Sequence, residues 1–413
     1  MRARRLAARW LIPVEGAPIE HGALLIGPEG RVQVAGPDSS VPRPSDVLAE
    51  DFGDAVILPG LINTHTHLEL TGFAGQVQEH EFPAWIRRLR ELKATRAPAE
   101  YVEAARRGLA ACYAGGVTTI ADTGDSGAAL RVLAEAGGSG VAYQEVFGPH
   151  PEQAGESLAG LRDRVTCLRG WSRDRVRIGV SPHAPYSVSG PLFGAVAAWS
   201  RAEGLPLAVH IAESPAETEF LAGGSGPFAE AWEARGIPLP VTCGYSPVGW
   251  LAEHGVLTDR TLCIHAVQLG PGDIDRLADS GAAVAHCPLS NLAHRHGVAP
   301  LEAMLQAGIR VGMGTDSEVS VGRLDLLAEA RAARSLARLS ADAMIELCTL
   351  GGAGALGLAS ETGSLRTGKW GDCVVIRVRR AAEERSPAEM VLASSPADLR
   401  LTCLAGRDVY RAL

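Results

Sequence analysis

The sequence contains almost no lysine. Of 39 Lys and Arg residues, only Lys93 and Lys369 are lysine. The skew reads as composition bias, yet it removes lysine chemistry from nearly every position. Positive charge is not in excess either. The balance is 39 − 47 = −8, which argues against a nucleic-acid partner. The eight cysteines include no Cys-x-x-Cys pair. Cys112, Cys263, Cys287 and Cys348 stand in apolar contexts and read as small core residues, suited to a reducing compartment. No apolar run is long enough to span a bilayer, so no membrane partner is expected. The basic start, Met1 to Trp10, is followed by Pro13 and Glu15 rather than an apolar stretch. No signal peptide is expected, and the expected location is cytoplasmic. No glycine-rich phosphate fingerprint opens a helix, which weakens an open doubly wound sheet as the alternative fold.

What is present suits a large core. The chain has 413 residues, 46% hydrophobic and 21% charged, enough for one large barrel and a small appendage. Short strand-like runs with turns occupy the N-terminal stretch to about residue 58, and similar runs return near the C-terminus. Residues 1–58 and 361–413 are therefore expected to form one composite β-sandwich domain. Between them, in residues 59–360, eight apolar runs alternate with Ala/Leu/Arg-rich helical stretches. The runs are Leu61–His67, Val117–Thr123, Val141–Phe147, Arg177–His183, Leu207–Ile211, Thr261–Val267, Ala282–His286 and Arg310–Gly314. Eight βα units predict an α/β fold, a (β/α)8 TIM barrel. Residues 223–245, rich in Gly and Pro, are expected to form a lid or rim loop.

In such a barrel chemistry collects at the C-terminal ends of the strands, and that is where the ionisable residues fall. His65 and His67 end the first run one residue apart, so in a strand both face one side. His183 ends the fourth run. His210 lies near the end of the fifth, with Glu213 just beyond. His265 lies in the sixth, His286 ends the seventh, and Asp316 follows the eighth. Three imidazoles and a carboxylate, His65, His67, His210 and Asp316, suit one divalent ion, Zn2+ first and Fe2+ second. An ion with room for water lowers the pKa of that water toward neutrality. Glu213 is placed to shuttle a proton to a leaving nitrogen, and His265 to orient the water, with Asp316 sharing the catalytic work. His183 suits substrate rather than metal. His286 reads equally well as a core histidine. A second His-x-His, His294-Arg295-His296, follows Asn291 in a loop and is not expected to ligate.

These segments together resemble the amidohydrolase superfamily. The resemblance rests on Pro59-Gly60-Leu61-Ile62-Asn63-Thr64-His65-Thr66-His67, Val209-His210-Ile211-Ala212-Glu213, Ile264-His265-Ala266, His286-Cys287-Pro288-Leu289-Ser290-Asn291 and Gly314-Thr315-Asp316-Ser317, with Gly363 to Asp372 as the return into the β domain. It implies a metal-dependent hydrolase. Binuclear members bridge their metals with a carboxylated lysine from strand four. Neither Lys93 nor Lys369 fits that place, so the resemblance implies a single ion. His-x-x-Glu after strand five looks like the deaminase and chlorohydrolase branch. Ser181 to Ser187, with His183, is similar to the ribose-contacting segment of S-adenosylhomocysteine and methylthioadenosine deaminases. His67-Leu68-Glu69-Leu70 looks more like the 6-aminodeoxyfutalosine deaminases of menaquinone biosynthesis. Glu69 and Trp85 are then expected to touch substrate. Trp85 would stack on a ring, and an Arg of the Arg87–Arg90 segment would clamp a carboxylate. The expected partner is a small aminopurine, and a homodimer is the family-level expectation. Other purine or pyrimidine deamination, triazine dechlorination, or an inactive ligand-binding relative stand as alternatives.

Overall fold

The computed structural model describes residues 2–240, 244–379 and 385–412. Residues 241–243 of the 223–245 insertion lie outside the described residues. Sixteen strands are defined among those described. They are β1 (Arg4–Leu11), β2 (Ile19–Ile26), β3 (Val32–Pro37), β4 (Leu48–Asp51), β5 (Ala55–Pro59), β6 (Leu61–Thr66), β7 (Val117–Gly124), β8 (Gly140–Val146), β9 (Val176–Pro182), β10 (Leu207–Ile211), β11 (Thr261–His265), β12 (Ala283–His286), β13 (Val311–Met313), β14 (Cys373–Arg377), β15 (Leu399–Leu404) and β16 (Arg407–Arg411).

Two sheets result. The first runs β16-β15-β14-β5-β1-β2-β3, with β4 beside β1. It interleaves both ends of the chain: β5 lies parallel to β1, with Trp10 opposite Val56, and antiparallel to β14, with Val374 opposite Leu58. Side chains on a strand alternate faces, and here both faces are used. Leu6, Ala8, Leu24, Ile26, Ile57 and Val375 pack in one apolar cluster, while Ala7, Ala23 and Leu25 pack in another with Val41.

The second sheet holds the remaining eight strands in strict chain order, β6 to β13. Neighbours are parallel, as in the ladder Val209–Cys263, Cys263–Val284 and Val284–Val311. Most of its strands are buried along their whole length, as expected when helices cover a parallel sheet. All eight expected runs are strands, with ends shifted by at most two residues. The first and last meet at the rim: Thr66 bridges Asp316 in parallel, and Thr315 N and Asp316 N donate to His65 O at 3.0 and 3.1 Å. That closure makes a (β/α)8 barrel.

Contacts divide the chain into two units, Met1–Asn63 with Leu109–Ile120 and Leu324–Leu413, and Thr64–Gly108 with Ala121–Arg323. Every candidate site residue lies in the second. Within it, part of the 223–245 insertion is a helix, Gly226–Glu233, started by Pro227 in its first turn. Among the described residues no helix is long and apolar enough to cross a membrane.

Candidate active site

The rim closure does more than seal the barrel. It sets the ends of β6 and β13 side by side, so His65 Nε2 and His67 Nε2 each lie 3.5 Å from Asp316 Oδ1. The close approach requires glycine at 314: a Cβ there would stand 2.9 Å from His65 Cβ and 3.0 Å from His65 N. Beyond the strands the backbone turns through left-handed conformations at Ala212, His265 and Asp316, with φ of 51°, 76° and 55°. L-residues adopt these at a cost, and they cluster where a site dictates the backbone. The His210 ring stacks on that of His67 at 5.4 Å and lies edge-on to that of His65 at 5.0 Å.

The donor atoms of His65, His67 and Asp316 fall within 4.8 Å of one another, as do those of His65, His210 and His265. Backbone and side-chain oxygens orient the rings. His67 Nδ1–H donates to Thr123 O at 2.8 Å, His210 Nδ1–H to His183 O at 3.2 Å, and His265 Nδ1–H to Asn291 Oδ1 at 2.9 Å. A proton held on Nδ1 leaves the Nε2 lone pair bare. Burial, with His65 nearby, lowers His67 to about 3, so the ring is neutral at pH 7. Burial and the neighbouring imidazoles hold His210 well below the ordinary range too. Burial alone would raise the Asp316 carboxyl, but the hydrogen bond and charge of His65, with His67 and His265, hold it well below its usual range. The Ser290 hydroxyl donates to Asp316 Oδ2. Imidazoles grouped with a carboxylate in this way have the donor chemistry of a divalent-cation site, and Glu145, His183 and His210 form a third such group beside them.

Glu213 stands next to this cluster. Burial, then Asp316 and Glu217, push its carboxyl well above the ordinary range, which favours the protonated acid. Tyr186 OH donates to Glu213 Oε2 at 3.3 Å, and His265 Nε2 lies 3.4 Å from Oε1. The turn carrying Glu213 is fixed from behind by Glu217, whose carboxyl accepts from Ala212 N at 2.9 Å and Glu213 N at 2.8 Å. Glu217 escaped the sequence reading, although Ser214-Pro215-Ala216-Glu217 has the Ser-x-x-Glu form of a helix start. Ser214 Oγ does accept from Glu217 N, at 3.2 Å.

The cluster forms one end of a cavity of about 850 Å³, a size that suits a nucleoside-like ligand. Two walls differ in character. One is aromatic: Phe82, Trp85, Tyr186, Phe228, Trp232 and His294. The other is charged or polar: Arg90, Lys93, Asp125, Glu145 and His183. His183 and Trp85, expected from sequence to touch substrate, line the cavity. Glu69 does not. It is buried behind the charged wall, where its carboxylate accepts from Lys93 Nζ at 2.9 Å and from the Ser126 hydroxyl. The lysine it holds is what faces the cavity, also paired with Asp125 at 2.8 Å. His286 is buried outside the cavity lining, and burial lowers it to about 4. Sequence reasoning missed Tyr186, Lys93, Glu145 and His294. Tyr186 lay inside the quoted Ser181–Ser187 segment, but no spacing rule singled it out.

Fold and site together define a barrel hydrolase whose reactive groups converge on one metal-type cluster. The sequence pattern of the amidohydrolase family matches residues 56–406, and the chain belongs to that family. It is 34% identical over 339 residues to an aminodeoxyfutalosine deaminase of Deinococcus radiodurans, spanning 78% of this chain and 77% of that protein. It is 30% identical over 382 residues to a 5-methylthioadenosine/S-adenosylhomocysteine deaminase of Moorella thermoacetica, spanning 90% and 84%. An adenosine deaminase of Xanthomonas campestris, crystallised with zinc, shares the fold: the TM-score is 0.84 at 23% identity, over 98% of this chain and 92% of that one.

Proposed function

We propose that this protein is a hydrolytic deaminase of an adenine-bearing, nucleoside-like substrate, with 6-aminodeoxyfutalosine as the substrate and menaquinone biosynthesis as its setting. The observation that carries the reading is Glu213. A buried carboxyl that favours its acid form, beside a cluster of imidazoles and lining a nucleoside-sized cavity, is what protonation of a purine ring nitrogen needs.

His65, His67, His210 and Asp316 would hold one divalent ion, Zn2+ in this reading. When bound, the ion supplies water activated at neutral pH as the nucleophile. The residues do the rest. Glu213 gives its proton to N1 of the ring as water adds at C6. Asp316 and His265 orient that water; its released proton is relayed through Glu213 to the departing amine, and the proton of the C6 hydroxyl then returns Glu213 to its acid form as the carbonyl forms. One water is consumed, and the products are the hypoxanthine analogue and ammonia. Tyr186 donates to one oxygen of the Glu213 carboxyl, and His265 Nε2 lies 3.4 Å from the other. His183 and Glu145 offer polar groups to a ribose, and Trp85 a face for a ring. Arg87 and Arg90 line the cavity and are exposed, which suits a carboxylate on the far end of the substrate.

The test is ammonia release by Zn-loaded protein from 6-aminodeoxyfutalosine, S-adenosylhomocysteine, methylthioadenosine, adenosine, guanine, cytosine and a chlorotriazine. A kcat/KM at least about tenfold higher for 6-aminodeoxyfutalosine than for the next amine supports the reading. Preference for another adenine compound keeps the chemistry and discards the substrate. No turnover at confirmed metal occupancy discards both.

A further inference from the structure

Around Glu213 the two carboxyl oxygens are treated unequally. Oε2 has Tyr186. Oε1 lies between two imidazoles: His265 Nε2 at 3.4 Å and His296 Nδ1 at 3.6 Å. His296 belongs to the loop after the helix Pro288–Ala293. It is 2% exposed, and neither ring nitrogen has a hydrogen-bond partner among the described residues. Burying an imidazole N–H without an acceptor costs free energy, so a ring kept in that state calls for a role.

The loop is built to put it there. Arg295 adopts a left-handed φ of 58°, and Gly297 follows at 109°. The left-handed residue lets His294 and His296 face one way, their rings 5.3 Å apart and nearly parallel. His296 N donates to Asn291 O at 2.8 Å, and the Gln268 side-chain amide donates to His296 O. Phe82 packs edge-on against the ring at 4.5 Å. Asn291 is thus common to both imidazoles: its side chain orients His265, and its backbone carbonyl anchors His296. One residue sets the two rings on either side of the same oxygen.

We propose that His296 is a positioning residue for Glu213: its Nδ1–H closes onto Oε1 and aims the carboxyl proton at the substrate ring. The separation needs only a few tenths of an ångström to reach hydrogen-bond length, the kind of tightening expected when a site fills. With Oε1 held by His296, the proton of Glu213 is presented from a fixed oxygen rather than from whichever oxygen rotation offers. This rests on the reading of Glu213 as the proton donor.

Asparagine places an amide N–H where Nδ1 stands, glutamine places one where Nε2 stands, and leucine places none. Expected for His296→Leu is a kcat lower by about 10- to 100-fold, the usual loss when an orienting partner is removed. KM and metal content should stay within about threefold of wild type. His296→Asn should recover most of the loss and His296→Gln little of it. In a Glu213→Gln background His296→Leu should add nothing, because the group it orients is gone. Difference infrared spectra give a readout independent of turnover. The protonated-carboxyl band that vanishes in Glu213→Gln should shift in His296→Leu and return in His296→Asn. Equal losses in the Leu, Asn and Gln variants, a raised KM with unchanged kcat, or an unshifted band would each overturn the proposal. A wild-type enzyme that releases no ammonia from any aminopurine, yet shows the band and its shift, would instead remove the deaminase reading and leave His296 as the partner of Glu213.

Discussion

The floor and the walls of the cavity are built by different means. The floor is made of strand ends: His65 and His67 on β6, His210 on β10, His265 on β11, and Asp316 just past β13. Their positions follow from parallel ladders and from the bridge between Thr66 and Asp316. The walls come mostly from a helix start at Phe82 and Trp85, the helix Gly226–Glu233, and the loop carrying His294 and His296, with Glu145 on β8 as a strand-borne exception. A ladder fixes a side chain to within a rotamer. A loop places one only through its own turns and packing. Reaction chemistry therefore belongs to the rigid part and substrate choice to the adaptable one. If that division holds, floor substitutions lower turnover for every substrate alike, whereas wall substitutions reorder substrates.

The largest effect is expected at Glu213. Glu213→Gln keeps the shape and removes the proton, and should lower kcat by about 10³-fold or more for all amines, with metal content by mass spectrometry unchanged. Residual turnover that differs by substrate would break the division. Asp316→Asn strips the only carboxylate from the cation cluster. It should weaken metal affinity by at least about 10- to 100-fold, measured by competition with a chelator. An unchanged affinity would move the ion away from the β6–β13 seam.

The same contrast explains what could be read in the sequence. The eight strands and the polar residues at their ends were legible because a parallel strand is a short apolar run and its last residues point to the rim. His65 and His67 needed only the two-residue period. The walls carried no such period. His294 and His296 were set aside as loop residues because a left-handed Arg295 cannot be read from an arginine. Glu69 was expected against substrate because His67-Leu68-Glu69-Leu70 resembles the 6-aminodeoxyfutalosine deaminases. The short 3-10 turn Leu68–Leu70 instead directs it to Lys93, whose place comes from a helix two dozen residues on. A pairing of that kind is set by tertiary packing and leaves no local pattern. Glu217 is the exception: its helix-start signature was present and unused.

A smaller effect should come from the charged wall, and it tests substrate choice directly. Arg90→Ala removes a cation lining the cavity without touching the floor. For a carboxylate-bearing adenine substrate, KM should rise by about tenfold with kcat nearly constant. For adenosine or methylthioadenosine, which carry no carboxylate, KM should stay within about twofold. Equal changes for both kinds of substrate would mean that Arg90 acts on the cavity as a whole and recognises no anion. A fall in kcat alone would mean that wall and floor are coupled.

The last effect is expected in stability rather than in rate and involves Glu145, a wall residue with Oε1 4.0 Å from His210 Nδ1. Burial raises its carboxyl to about 8, against the pull of Lys93. A carboxyl raised in this way binds its proton more tightly in the folded protein than in the unfolded chain. Its contribution to stability is full below the ordinary glutamate range and is lost as pH climbs through about 8. Depressed histidines such as His67 act with the opposite sign below about pH 6.5, so the effect is read as the stability difference between wild type and Glu145→Gln. In metal-free protein that difference should change by of the order of a few kcal/mol between pH 5 and pH 8, against wild type as pH rises. A bound cation favours the ionised carboxyl and should shrink that difference. Denaturant midpoints across that pH range, with and without metal, separate the cases. A metal-free difference that stays constant with pH would assign the pH dependence to other groups. A difference that the metal does not reduce would mean that wall and floor are electrostatically independent, despite the 4.0 Å between them.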